Sequence, residues 1–284
     1  MEKIAVMTDT NSSITTKEAK ELGIYLVQMP FIIDDEECIE DVNCTYDEFC
    51  ERLDAGATVS TAQPVLGDLL DMWDEVLKTH DKILYIPMSS ALSGSCETAT
   101  AMAQDYDGRV LVIDNKRISI SQRRSVLDAL VMIKRGMSAE DIKTYLVNDS
   151  FNSSIYLAVN TLELLKKSGR VTAAAATIAA IMNIKPVLQI QGGKLDSYAK
   201  ERGMKKAEKV MLRAIEQDQE KRFSQGNSRI YAAYSGNRAE GEEWLKTVQE
   251  YFHDPTIELL CLPISIVCHV STGVHAIGIM GYLG

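Results

Sequence analysis

The sequence predicts a two-domain α/β protein with a mainly parallel, doubly wound sheet in its N-terminal domain. In the first half of the chain, β-branched apolar runs alternate with helical patterns, which is typical of parallel strands joined by crossover helices. The polar run NDSFNSS, at residues 148–154, then precedes a second series of strands and helices. We therefore predict domains at residues 1–155 and 156–284, a normal division for a chain of 284 residues.

The N-terminal elements follow from short apolar runs and from the residues at their ends. Residues 22–33 are predicted to be extended and to end in the acidic turn DDEE. The helix at residues 64–80 opens with Pro64, which the first turn of a helix tolerates. The remaining predicted elements are strands at 4–8, 83–87 and 110–113 and helices at 46–55, from Ser93, and at 121–135.

The C-terminal half repeats the alternation and ends in an uncharged stretch. Residues 259–284 have the length of a membrane span, but a proline, two histidines and four glycines favour a buried element instead. We predict a β-like run LCLPISIV, a polar turn and an apolar end, forming a strand-turn-helix or a strand-turn-strand. Before this stretch come a strand at 156–160, a helix, an Ala-rich helix at 171–182, strands within 186–198, a helix at 205–218, a strand at 228–234 and a helix at 240–252.

Composition predicts an acidic cytoplasmic protein that does not bind nucleic acid. Asp and Glu number 40 against 30 Lys and Arg, for a formal charge of −10, and the sequence has no basic stripe to displace counterions. The first residues enter a strand at once and lack the marks of a signal peptide. The six cysteines form no CxxC pair and no zinc spacing, so we expect buried thiols, no metal and no cofactor. We also expect a monomer without stable membrane insertion.

The most distinctive segment is residues 83–106, where a β-branched run breaks into a Ser-rich turn and then a helical pattern. Free N–H groups and the positive end of the dipole converge at a helix N-terminus, and the turn's hydroxyls add donors. A plain N-cap is the structural alternative. Ligands of open α/β sheets bind off the carboxyl ends of strands, so we expect this turn to meet those at residues 9–13 and 60–64. The pattern predicts a carboxylate or phosphate site.

Several separated segments resemble motifs of the DegV family of bacterial fatty-acid-binding proteins. STAQP at residues 60–64 resembles the family's TSQP, and SSALSGS at residues 89–95 resembles SSxLSGT. VLVIDNKRISISQ resembles VxVIDSxxxSxGQ, LELLKKSGRV resembles LxxLxKGGRI, and NIKPVL with AKERGMKKA resembles NIKPIL with KxRTxxKA. The motifs follow the family order over nearly the whole chain. The resemblance implies a DegV-like fold with ligand bound between two domains, and a role similar to that of the FakB subunits, which present fatty acids to a separate kinase.

The resemblance implies that two hydroxyls hold the fatty-acid carboxylate: Thr61 of the TAQP turn and Ser93 of the LSG turn. Hydroxyls and helix-start N–H groups would supply charge-assisted hydrogen bonds without placing a full positive charge in the pocket. For both residues the structural alternative is a local cap or turn hydrogen bond.

A histidine and an arginine complete the set that the resemblance implies. The family's HxGPGALG signature reads CHVSTGVHAIG here and lacks the proline, so His269 and His275 are both candidates. We favour His269, because it directly follows the strand-like ISIVC. Arg202 resembles the arginine of KxRT, and Arg170 resembles that of KGGRI. Both are candidates for the pocket rim, although either residue could be a solvated surface charge. Gly203 stands where the family has a hydroxyl-bearing Thr.

The expected ligand is a long-chain fatty acid such as palmitate (hexadecanoate) or oleate, with its tail in an apolar tunnel. The Ala-rich helix and some of the 12 methionines would suit the tunnel wall, although tight helix packing explains the alanines equally well. The chain is then a lipid-binding protein of fatty acid metabolism and not an enzyme. Its expected partner is a fatty acid kinase subunit that forms the acyl phosphate.

Two rival functions remain open from the sequence. A phosphosugar-binding or isomerase-like domain would also use a Ser-rich turn at a helix N-terminus, and it would need a polar pocket with a general base. A serine acyl hydrolase would pair Ser93 with His269, but the chain has no GxSxG elbow. No turn carries GxGxxG or GxxxxGK[ST], so the sequence predicts neither a dehydrogenase nor a kinase.

Overall fold

A computed structural model describes residues 2–177 and 184–283, and within these residues strands and helices form three β-sheets with flanking helices. The strands are β1 Ile4–Asp9, β2 Tyr25–Val27, β3 Phe31–Ile33, β4 Glu36–Cys38, β5 Val59–Thr61, β6 Lys82–Ile86, β7 Val110–Val112, β8 Ser153–Ala158, β9 Ile184–Ile190, β10 Asp196–Arg202, β11 Ser228–Tyr234, β12 Glu258–Cys261 and β13 His275–Gly281. The helices are α1 Thr16–Leu22, α2 Tyr46–Asp54, α3 Leu66–Leu77, α4 Ser95–Met102, α5 Ser119–Lys134, α6 Ala139–Asn148, α7 Glu163–Ser168, α8 Ala173–Ala176, α9 Met204–Lys221, α10 Arg238–Phe252 and α11 Ile264–Val270, with 3-10 turns at Thr10–Ser12 and Ala103–Tyr106.

The first sheet is parallel and doubly wound, as the sequence predicts. Its strand order is β2-β1-β6-β7, and every neighbouring pair is parallel. Successive residues of a strand point to opposite faces, so Val6 and Leu84 pack with helices α5 and α6, while Met7 and Tyr85 pack with α3 and α4. Both faces are therefore buried, which explains why the central residues of β1 and β6 are apolar.

The second sheet has six strands in the order β10-β9-β8-β13-β11-β12, antiparallel except for the pair β11–β12. Helices α9 and α10 cover one face, and Trp244 of α10 is fully buried there. The other face contributes Leu157, Ala233 and Ala276 to the largest apolar cluster, which also contains Phe31 of the N-terminal half. The main core thus lies between the two halves of the chain. The boundary at residue 155 stays a prediction; β8, the first strand of this sheet, begins at Ser153.

A small antiparallel sheet, β4-β3-β5, joins the two larger ones. The sequence predicts only its middle strand, inside the extended stretch at 22–33, because the other two strands are three residues long and rich in charge or hydroxyls. Thr61, the last residue of β5, pairs with the fully buried Phe31 of β3. This pairing fixes the position of the TAQP turn.

The end of the chain differs from its prediction. The run LCLPISIV is not β-like throughout: β12 ends at Cys261, and helix α11 begins directly after Pro263. The fixed φ of proline suits a helix start, so Pro263 outweighs the β-branched residues after it. His269 accordingly lies in a helix and does not follow a strand. The apolar end forms β13, and the element as a whole is strand-helix-strand.

Two further sequence expectations concern apolar or small-residue stretches. Within residues 2–177 and 184–283, none of the helices has the combination of length and apolar composition needed to cross a bilayer. The predicted Ala-rich helix is observed as α8 at its first residues, and its part from residue 178 to 182 lies outside the described residues.

A buried arginine anchors the segment that leads from the first half into the second sheet. Arg117, in the loop between β7 and α5, is fully buried and donates from Nη2 to the backbone oxygen and the Oδ2 atom of Asp149, both at 2.7 Å. The same nitrogen donates to the carbonyl of Asn152 at 3.3 Å, just before β8. Burial lowers the pKa of this guanidinium, and the Asp149 carboxylate partly offsets the loss of solvation. The segment leading into the second sheet is thus held by a charge inside the first half.

We expect Arg117→Met to destabilise the protein by about 3 to 5 kcal/mol, because removing one partner of a buried pair leaves the other charge uncompensated. Urea denaturation followed by circular dichroism measures this loss. Arg238→Met is the matched control, since Arg238 pairs with Glu242 on the surface of α10 and its removal should change stability little. Equal effects of the two substitutions would contradict the role given to Arg117.

Candidate ligand-binding site

The three polar turns marked in the sequence meet at one cavity of about 230 Å³. Asn11 comes from the turn after β1, Thr61 from the end of β5, and Ser93 from the turn between β6 and α4. Helix α11 and the end of α7 close the opposite side. The full set of lining residues is Asn11, Met29, Thr61, Ala62, Gln63, Met88, Leu92, Ser93, Gly94, Ile118, Leu165, Arg170, Leu195, Ser265, Ile266, His269 and Val270.

A second cavity, of about 50 Å³, continues the first into the core between the sheets. The two cavities share four lining residues, Ile118, Leu195, Ile266 and Val270. Apart from Ser119, the residues that line the second cavity are apolar, and they come from the largest core cluster or its edge. We call the first the head cavity and the second the tail cavity. Together they form a space that is polar at one end and apolar at the other.

A chain of three side chains forms one wall of the head cavity. Arg170 Nη1 lies 3.5 Å from His269 Nδ1, and His269 Nε2 lies 3.1 Å from Thr61 Oγ1. A guanidinium can only donate, so Nδ1 accepts and the ring proton is on Nε2. That proton is donated to Thr61 Oγ1, which leaves the hydroxyl proton of Thr61 free for a ligand. The arginine therefore sets the direction of every hydrogen bond in this chain.

The His269 ring is neutral in this arrangement. Burial and the charge of Arg170 lower the pKa of His269 to about 3, against 6.5 for a free histidine. The ring therefore acts as a relay of fixed polarity at neutral pH. Its hydrogen bonds hold Thr61 in place without adding a charge.

Arg170 brings a full positive charge to the head cavity, contrary to the expectation of a site built from neutral donors. It is half-buried, and it donates to Leu92 O at 3.0 Å, to Ser168 O at 3.5 Å and to His269. All three acceptors are neutral, and no carboxylate within the described ranges forms an ion pair with it. Burial lowers its pKa, as expected for a cation taken out of water. The wall thus presents a cation that lacks an anionic partner.

Ser93 lies across the head cavity, directly before helix α4. Its Oγ accepts from Ser95 N at 3.2 Å and lies 2.9 Å from Ser95 Oγ. The local turn hydrogen bond and the cavity-lining position therefore coincide in one hydroxyl. The N-cap residue Gly94 has no side chain to block the approach, and a Cβ there would lie only 3.0 Å from Gln63 Nε2.

Helix α11, which carries His269, is held by residues from the N-terminal half. Glu40 Oε2 accepts from the N–H of Ile264 at 3.1 Å, where α11 has no cap of its own. Burial raises the pKa of this carboxyl to about 7. At the next residue, the hydroxyl of Ser265 donates to Asn11 Oδ1 at 2.7 Å, while Asn11 Nδ2 lacks a well-formed hydrogen bond within the part of the chain that the structure describes. Neither Glu40 nor Asn11 was predicted from the sequence as a functional residue, although Asn11 lies in one of the three polar turns.

The other two candidates lie elsewhere. His275 is on β13, where it bonds Glu208 at 2.8 Å and stacks on Trp244, so its ring has structural partners. Arg202, at the end of β10, is exposed and is not among the described residues that line either cavity. Its assignment to the pocket rim stays a prediction.

Comparisons with known proteins agree with this architecture. The sequence model of the DegV family, described as uncharacterised proteins, matches residues 3–282. A DegV domain-containing protein of Deinococcus radiodurans is 29% identical over 205 residues, which are 72% of this chain and 73% of the relative.

Two solved structures are similar over almost their full lengths. A DegV family protein from Thermus thermophilus, described by its fatty acid binding, has a TM-score of 0.88 and 26% identity and covers 98% of this chain and 99% of its own. A fatty acid binding DegV family protein from Streptococcus agalactiae has a TM-score of 0.89 and 25% identity over 100% of both chains. With the family model matching nearly all of its residues, this chain belongs to the DegV family.

Proposed function

We propose that this protein binds a long-chain fatty acid, such as palmitate or oleate, with the carboxylate in the head cavity and the alkyl chain in the tail cavity. The observation that carries the proposal is Arg170, a cation with no anionic partner among the described residues, at the polar end of a space whose other end is apolar. A carboxylate would accept from the hydroxyls of Thr61 and Ser93 and neutralise Arg170. The fatty acid binding of the two similar solved proteins supports the same ligand class.

The free energies of binding expected for the two ends of the ligand give them different roles. Burying a long alkyl chain contributes about 0.8 kcal/mol per methylene, up to roughly 10 kcal/mol before the cost of association. A charge-assisted hydrogen bond contributes about 1.5 to 3 kcal/mol. The tail then sets most of the affinity, and the head cavity sets the orientation. Met29 and Met88 line the head cavity, and their adaptable side chains would make room as a chain enters.

We further infer that the bound acid is presented to a separate fatty acid kinase. The sequence has no GxxxxGK[ST] loop to hold the phosphates of ATP. In the reaction, a carboxylate oxygen attacks the γ-phosphorus of ATP held by the kinase, forming a carboxyl O–P bond while the bond to ADP breaks. The products are ADP and an acyl phosphate that remains on this protein.

The geometry disfavours both rival functions. A sugar phosphate needs polar partners beyond its anion, whereas the head cavity leads into an apolar one. A serine hydrolase needs a hydrogen bond between its histidine and its nucleophilic serine. Within the described residues, the ring of His269 bonds Thr61 and Arg170, and the hydroxyl of Ser93 bonds Ser95. Native mass spectrometry of the purified protein distinguishes the alternatives by the mass of the retained ligand.

Ser93→Ala should weaken fatty-acid binding by about 1.5 to 3 kcal/mol, a loss of roughly ten- to a hundred-fold, because one charge-assisted hydrogen bond disappears. Calorimetry with palmitate measures the change. Adding Thr61→Ala should cost less than the sum of the single effects, since both hydroxyls serve one carboxylate.

Palmitate methyl ester is the control ligand for these variants. The wild type should bind the ester more weakly than the acid, and the effect of Ser93→Ala should largely vanish with the ester. Equal losses for acid and ester would show that Ser93 acts on the tail or on folding and not on the carboxylate.

The lowered pKa of His269 predicts a pH dependence of stability. Between pH 6.5 and about 3 the unfolded chain binds a proton that the folded ring does not, so the folded state loses stability as pH falls through this window. His269→Gln keeps an N–H directed at Thr61 and removes the titration. We expect the wild type's free energy of unfolding to fall more steeply than the variant's between pH 6.5 and 4.5, with a difference in slope of at most about 1.4 kcal/mol per pH unit. Parallel curves in urea denaturation would mean that His269 is protonated in the folded protein.

The purified protein alone should form no acyl phosphate from ATP and palmitate or oleate, because it would supply the acceptor and not the ATP site. Mass spectrometry or hydroxylamine trapping detects the product. The proposal of a carrier subunit fails if acyl phosphate appears without a kinase.

A further inference from the structure

A third cavity, of about 210 Å³, lies on the outer side of the wall formed by Thr61, His269 and Arg170. These three residues line both this outer cavity and the head cavity, so the same hydrogen-bonded chain separates the two spaces. The outer cavity reaches the surface at Ser60 and Lys167, which are both exposed. This wall therefore lies between the carboxylate position and a space that is open to solvent.

The outer cavity is cationic. The side chain of Lys167, on the last turn of α7, makes no hydrogen bond or ion pair with any residue in the described ranges. Arg170 has no carboxylate partner in those ranges either. The described lining contains no Asp or Glu. The hydroxyl of Ser60, on β5, adds a donor. Two cations and a hydroxyl around one space form a receptor for a polyanion.

We propose that the outer cavity binds the phosphoryl group of an acyl phosphate, an inference that rests on the proposed fatty-acid function. Conversion of a carboxylate into an acyl phosphate adds one negative charge and places three acceptor oxygens one bond beyond the carboxyl oxygen. Arg170 already neutralises the carboxylate in the head cavity. The added charge needs a second cation on the far side of Thr61, and Lys167 is the side chain at that place.

This placement gives the two lysines of α7 different roles. Lys167 lines the outer cavity, whereas its neighbour Lys166 does not, and both are exposed on the same helix. Substituting either removes one positive charge from α7. Lys166 is thus a matched control for the net charge, for the helix and for the long-range field.

The experiment compares palmitate with 2-oxoheptadecylphosphonate, a stable analogue of palmitoyl phosphate in which a methylene replaces the bridging oxygen. Competition against a fluorescent fatty acid gives both affinities for the wild type, Lys167→Met and Lys166→Met. We expect Lys167→Met to weaken phosphonate binding about ten-fold and to change palmitate binding less than two-fold. Lys166→Met should change both less than two-fold. The effect of Lys167→Met should shrink in 0.5 M NaCl, because the site is open to solvent.

The outcomes separate this inference from the function on which it rests. If the wild type binds palmitate but Lys167→Met leaves phosphonate binding unchanged, or weakens both ligands equally, the phosphoryl site is refuted and fatty-acid binding stands. If both lysine variants weaken phosphonate binding alike, the effect is one of net charge and the site is again refuted. If the wild type binds neither ligand, the proposed function itself is wrong.

Discussion

The chemistry of the site depends on one half-buried guanidinium whose acceptors within residues 2–177 and 184–283 are all neutral. Arg170 donates hydrogen bonds to two carbonyls and one imidazole nitrogen, which orient the guanidinium without cancelling its charge. A carboxylate of the protein in that place would neutralise the cavity and remove its preference for anions. Burial, together with this cation, keeps His269 neutral, and the cation decides which ring nitrogen carries the proton. The hydroxyl of Thr61 then presents its own proton to the cavity, so that one charge determines both the electrostatics and the geometry of recognition.

The parallel sheet and the meeting of three turns were predictable, because strand-helix alternation and the carboxyl-end rule are both local in sequence. Helix α11 was not predictable, because its β-branched residues favour a strand. Only Pro263 and burial between the sheets make this segment helical. The contact between Thr61 and His269 spans 208 positions, and only the resemblance to a family predicted that both residues belong to one site. Arg170 and Arg202 look alike as motif arginines, and only the folded chain shows that the first lines the cavity.

The site is assembled from both halves of the chain, with α11 as the piece that joins them. This helix follows β12 of the six-stranded sheet, yet its anchors Glu40, Asn11 and Thr61 all come from the N-terminal half. Each anchor makes a polar contact inside a largely apolar interface. Apolar packing alone would allow several positions of the helix that bury similar area, and the polar contacts specify one of them. The buried Arg117 likewise fixes residues 149–152, which lead into β8 of the second sheet. Neither half alone contains a complete cavity.

The tail cavity has a consequence for the lifetime of the protein. Ile118, Ile120, Leu157 and Ala276 line it and also belong to the main core, so an alkyl chain lying there packs as an additional core side chain. A protein that has no lipid lacks those contacts, and binding to the folded state alone raises the free energy of unfolding in proportion to the logarithm of ligand concentration. Proteases act on opened molecules, whose population falls as that free energy rises. The abundance of this protein in a cell would then follow the supply of free lipid, without any dedicated sensor.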